Sequence, residues 1–153
     1  MLELTAMSPL SALSLPTVTG CEIVELSPIR IGVVRIAPGA PVPTDAAAPG
    51  SIEARDKADW VCIGPREWLV LGGEAGVDIG SAVFGLSVTG PSASKILARG
   101  IAIDFRKFGT GQATRTRLGE VAVILIRDTE DGFRLFAPTP CARYLTEWFA
   151  HHG

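Results

Sequence analysis

Four prolines and two glycines fall between positions 38 and 50, in Pro38-Gly39-Ala40-Pro41-Val42-Pro43 and the closing Pro49-Gly50. Each proline removes a backbone donor and biases the residue before it away from the helical region, so no long helix fits there. Residues 37–58 read as an extended Pro/Ala-rich connection, with a short turn of helix expected over 51–58. A second interruption lies at 72–82, where Gly72, Gly73, Gly76 and Gly80 make the segment too short and too flexible for a full helix. Between these breaks the chain is divided into short apolar runs, and those runs set the fold class.

Residues 21–26 and 29–36 are β-branched runs parted by Ser27-Pro28, which predicts two short strands or one bent strand. Residues 60–63 and 68–71 are strand-like and joined by Gly64-Pro65-Arg66-Glu67, and 83–89 form another strand. Pro91 then suits the first position of a helix. Ala93, Ile96 and Leu97 recur at helical spacing, and Gly100 is expected to close the helix as a C′ glycine. Residues 101–105 read as extended, 113–118 alternate, 120–126 are strongly strand-forming, and 133–137 follow a turn at 128–132. The last helix is expected to start at Thr139 as N-cap with Pro140 behind it. Cys141, Leu145, Trp148 and Phe149 make its apolar stripe, with Arg143 and Glu147 an i, i+4 pair toward water. Strand, helix, antiparallel strands, helix is an α+β layer: an antiparallel sheet with helices on one face.

At 153 residues, 47% of them hydrophobic, the chain suffices for one domain with a core that needs no disulfide or metal. Residues 1–20 are expected as a flexible N-terminal segment. A formal net charge of −2 gives no reason to expect nucleic acid. The charge is uneven, however: Lys95, Arg99, Arg106, Lys107, Arg115 and Arg117 face only Asp104 within their stretch. A solvated face and a specific anion or partner site both account for this. Cys21, Cys62 and Cys141 are an odd number at wide spacing, neither a disulfide framework nor a CxxC site, and read as thiols in a reducing compartment. The first sixteen residues lack a basic n-region, and no segment approaches the roughly 18–20 apolar residues of a membrane span. No membrane association is expected, and the expected location is the cytoplasm.

The residues that carry chemistry are sparse. The two histidines, His151 and His152, close the sequence as an expected frayed tail. Ser/His/Asp and Cys/His schemes are thereby left without a general base. No HExxH, CxxC or clustered carboxylates suggest a metal, and none is expected. Gly109-Thr110-Gly111 has the look of a phosphate loop but lacks the leading strand and following helix. Asp104 reads as a buried carboxylate paired with Arg106 or Arg115. Trp60 and Trp68, on either side of the Gly-Pro turn, suit a core or an interface anchor.

Four segments in order resemble one known family. Ile63-Gly64-Pro65-Arg66-Glu67-Trp68-Leu69-Val70 is similar to the "GPdEWLl" signature of sarcosine oxidase gamma subunits. Val88-Thr89-Gly90-Pro91, followed by Ile96-Leu97-Ala98-Arg99-Gly100-Ile101-Ala102-Ile103-Asp104, resembles a second segment of that family. Phe108 and then Gly111-Gln112-Ala113-Thr114-Arg115-Thr116-Arg117-Leu118-Gly119 resemble a third. Residues 131–149, with Tyr144-Leu145 and Trp148 in register, resemble its closing helix.

The resemblance implies a fold like the folate-binding domain of the glycine-cleavage T-protein, built from β-β-α-β-β-β-α units. It implies a structural, non-catalytic subunit in a complex with alpha, beta and delta subunits, which oxidatively demethylates sarcosine to glycine. In that family FAD, FMN, NAD and tetrahydrofolate sit on other subunits, zinc on the delta subunit, and no cofactor on the gamma subunit. The positions carrying the motif, and candidates for the interface, are Gly64, Pro65, Glu67, Trp68, Gly90, Pro91, Asp104, Gly111 and Thr116. Two alternatives remain open. One is a small folate-binding or aminomethyl-transfer module, with Arg99, Arg106 and Arg115 contacting folate's anionic tail. The other is a self-associating domain, a homodimer when alone. The family pattern has one helix where the 38–49 stretch stands and another where 72–82 stands. An abbreviated first half with an uncovered sheet face is therefore expected.

Overall fold

A computed structural model of the chain describes residues 7–26, 30–44 and 46–153. The Ser27-Pro28 break lies outside the described residues. The described strands form two five-stranded antiparallel sheets. In the first, β1 (Glu22–Glu25), β7 (Val83–Thr89), β10 (Gly132–Pro138), β9 (Val121–Thr129) and β8 (Ala113–Leu118) lie side by side in that order. In the second the order is β3 (Ile52–Arg55), β4 (Ala58–Gly64), β5 (Glu67–Leu71), β2 (Ile31–Arg35) and β6 (Val77–Asp78). Among the described residues, helices α1 (Ala93–Leu97) and α2 (Ala142–His152) complete the fold. From β7 onward the order is strand, helix, three antiparallel strands, helix, as the second half of the sequence implies.

Alternation of side chains explains how the layers stack. In β9, Val121, Val123 and Leu125 point to the helices, where they meet Ile96, Leu97, Leu145 and Phe149. Ile124 and Ile126 point the other way, to Val61, Ile63, Leu69 and Leu71 of the second sheet. The first sheet is thus covered on both faces at its centre, and β7 and β9 read there as near-continuous apolar runs. Leu97, Leu118, Leu125, Leu135, Leu145 and Phe149 are all fully buried, each stabilising the fold by about 1.5–3 kcal/mol through removal from water.

The expected uncovered sheet face is covered. On the outer side of the second sheet, Ala47, Cys62 and Trp68 are buried together, with Val34, Ile36, Ala46 and Trp60 packed around them. The Trp68 indole donates to the Ala47 carbonyl at 3.2 Å. The proline-rich connection therefore acts as the lid that a helix would otherwise provide. Arg66 fixes its near end by donating to the carbonyls of Ile36 (3.2 Å), Ala37 (2.7 Å) and Ala40. The glycine-rich link is tethered likewise: Arg30 donates to the carbonyls of Gly73, Ala75 and Gly76, and part of the link pairs with β2 as β6.

Several local expectations change. Residues 51–58 form no helix; Asp56 and Lys57, at φ 50° and 63°, make the tight turn of the β3–β4 hairpin. Residues 101–105 form no strand. Gly100 lacks positive φ and is not a left-handed cap; instead Trp148 and Leu118 occupy the space a Cβ would need. Thr139 does not cap α2, because its hydroxyl donates to the Ser81 carbonyl (3.2 Å) and a turn of 3-10 helix over Thr139–Cys141 leads into the helix. Leu10 and Val18 are buried against the helix-side core, so this part of the expected flexible segment is docked. His151 and His152 lie within α2, and the His152 ring stacks on Trp148 with centroids 4.6 Å apart.

Candidate functional site

The Gly64-Pro65-Arg66-Glu67 turn places consecutive side chains in three different surroundings. Pro65 supplies the turn's fixed φ, and Arg66 takes the left-handed φ of 62° that its third position demands. Arg66 then reaches outward to the loop, Trp68 packs beneath that loop, and Glu67 points between the sheets. Gly64 adjoins Glu67, with the Glu67 Oε2 atom 3.9 Å from where its Cβ would stand.

Glu67 sits at the mouth of a cleft of about 380 Å³ between the two sheets. Arg35 is its direct cross-strand partner on β2 and donates from Nε (3.0 Å) and Nη2 (2.8 Å) to Oε1. Arg115 reaches the same oxygen from β8 of the first sheet at 3.0 Å. Burial alone would push the Glu67 carboxyl up. Hydrogen bonding from Arg35 and the charge of Arg115 outweigh that and hold it below the ordinary carboxylate range. Behind this trio the walls are apolar, formed by Val33, Leu69, Ile79, Val83, Ile124 and Phe136.

A second ion cluster also joins the sheets. Arg134 of β10 donates to Asp59 of β4 at 2.9 Å and to both carboxylate oxygens of Asp128 at 2.7 and 2.8 Å. Burial opposes its charge, but Asp128 and Asp59 outweigh this and raise its pKa above the ordinary value.

The motif positions do not gather at one place. Glu67, Arg115 and Thr116 border the cleft, and Trp68 lies on the opposite face of the second sheet. Gly90, at φ 123°, meets the Gly20–Cys21 backbone where a Cβ would stand, beside exposed Pro91. Gly111, at φ 79°, accepts from the Ile52 amide at 3.2 Å, where β3 approaches the start of β8. Asp104 is exposed rather than buried, since its loop lies at the surface; it holds the Arg106 guanidinium at 2.9 and 3.1 Å and the Arg106 amide at 3.1 Å. Arg99 donates to the His152 carbonyl. The three arginines proposed for one anion therefore have three separate partners. Arg35 is the site residue the sequence does not single out, as one charge ending an apolar strand.

In the Gly109-Thr110-Gly111 turn, the Gly109 amide is taken by the Gln112 side chain at 2.7 Å, which removes a donor from any phosphate cradle. Among the described residues, no three His, Cys, Asp or Glu side chains come together to hold a metal ion. Cys21, Cys62 and Cys141 are free thiols, and burial pushes the Cys21 thiol up, away from its reactive form. No helix among the described residues is long and apolar enough to cross a membrane.

Fold and site together define a two-sheet α+β domain held by inter-sheet ion clusters. No family model and no curated protein sequence matches the chain. Among solved structures it is similar to a chain of the heterotetrameric sarcosine oxidase from Corynebacterium sp. U-96 in complex with pyrrole 2-carboxylate. The TM-score is 0.80 at 19% identity, over 96% of this chain and 94% of that chain. Relative to that neighbour the first half is not abbreviated, since the likeness runs through almost the whole of both chains.

Proposed function

We propose that this chain is the non-catalytic, gamma-type subunit of a bacterial, cytoplasmic heterotetrameric sarcosine oxidase. The observation that carries the reading is the end-to-end likeness of fold to a chain of such an enzyme. It is supported by the four motif segments, which fall on β4–β5, on β7–α1, on β8 and on β10–α2. In this reading alpha, beta and delta subunits are the partners. Oxidative demethylation of sarcosine, and transfer of the one-carbon unit to tetrahydrofolate, take place on those other subunits, as do the uses of FAD, FMN and NAD.

Co-expression tests this. Alpha, beta and delta subunits are produced with and without this chain, and flavin-coloured complex and sarcosine-dependent peroxide formation are measured. Loss of active complex on omission supports the reading. Equal yield and equal activity in both preparations overturn it.

A further inference from the structure

We infer that the inter-sheet cleft is a binding site for a small monocarboxylate with an apolar tail. At the Arg35 end of β2, the facing sheets leave about 380 Å³, within the range of small-molecule sites. Leu69, Ile79, Val83, Ile124 and Phe136 line it, so a tail seated there gains by leaving water.

The charge at the mouth selects the head group. Among the described residues, Arg35, Glu67 and Arg115 are the charged side chains lining the cleft. Both guanidiniums converge on one oxygen of one carboxylate, which is held ionised, so one positive charge is left over. The contrast with the other inter-sheet cluster is direct, because there one arginine faces two aspartates and its side chain is only 18% exposed. At the cleft the arginine side chains are 73% and 52% exposed, and Glu67 engages Nε and Nη2 of Arg35 and Nη2 of Arg115. The two forks keep N–H donors that Glu67 does not engage, enough to hold an incoming carboxylate. A second carboxylate at the far end of the ligand would lie against aliphatic side chains with no cation to meet it, so its partial desolvation would weaken binding. An amine head group would meet excess positive charge. This site rests on the geometry of the chain alone and is independent of its role as a subunit.

The test is a titration of the full chain, with its Ile, Leu and Val methyl groups isotopically labelled, using sodium octanoate. The expected result is saturable shifts at Val33, Leu69, Ile79, Val83 and Ile124. Octanol and octanedioate should each bind at least roughly tenfold more weakly. Arg35→Gln and Arg115→Gln should each weaken octanoate by roughly tenfold, and Glu67→Gln, which removes the opposing charge, should tighten it. The methyl spectrum of each variant reports whether it is folded, and the wild-type titration stands without them. Absence of saturable shifts at the cleft overturns the inference. So does equal binding of octanol, or octanoate binding that neither arginine substitution changes.

Discussion

At the scale of single residues, the arginines do much of the holding. Arg30 and Arg66 pin surface loops through backbone carbonyls, Arg127 does the same for the carbonyls of Phe105, Phe108 and Glu130, and Arg134 joins the sheets. Glu67 is a carboxylate answered by two guanidiniums. Because its folded pKa is lowered, its pair stabilises the fold above the ordinary glutamate value of about 4.3. That contribution fades as the pH falls through the lowered value. Glu67→Gln should cost about 1 kcal/mol or less at neutral pH, since both arginines are well exposed. Urea melts of the two proteins should converge in acid; a gap of the same size at neutral and acid pH would count against the pair. Gly100 is constrained by packing: a Cβ there would stand 2.7 Å from Leu118 Cδ1 and against the Trp148 ring. Gly100→Ala should destabilise by about 1–3 kcal/mol through overpacking, and a thermal midpoint equal to wild type would contradict this.

At the scale of elements, the β3–β4 hairpin shows where sequence reading succeeds and where it stops. Strands β4, β5, β7, β8, β9 and β10 and the stripe of α2 follow from apolar runs and their period. The β3–β4 turn escapes notice because Asp56-Lys57 adopts left-handed backbone without the glycine or asparagine that usually marks such turns. Lys57→Gly should therefore stabilise the chain by roughly 0.5–1 kcal/mol. This is the ~1–2 kcal/mol cost of the left-handed conformation less glycine's extra chain entropy. A lowered denaturation midpoint would show that the Lys57 side chain matters more than its backbone. Thr139 and Gly100 carry the sequence marks of helix caps and serve other purposes, a bond to the Ser81 carbonyl and room for Trp148. Local patterns state what a residue suits, and tertiary contact decides which of its uses is taken.

At the scale of the whole molecule, stacking is what the pattern cannot give. Periodicity shows that a strand has an apolar face but not what meets it, so the second sheet and its loop lid are absent from the sequence reading. The cleft trio is hidden for the same reason, since Arg35 and Arg115 lie 32 and 48 positions from Glu67 and meet it only through strand pairing and sheet packing. The motif segments, by contrast, are legible without knowing the stacking, and the solved structure that shares the fold is a chain of a heterotetrameric sarcosine oxidase. Assembly is therefore the central claim. Native mass spectrometry of a complex purified through a tag on this chain, co-expressed with alpha, beta and delta subunits, tests it most directly. The account predicts one copy of this chain bound with one copy of each of the other three. Recovery of this chain alone or as a homodimer, with the other three assembled separately, would contradict it.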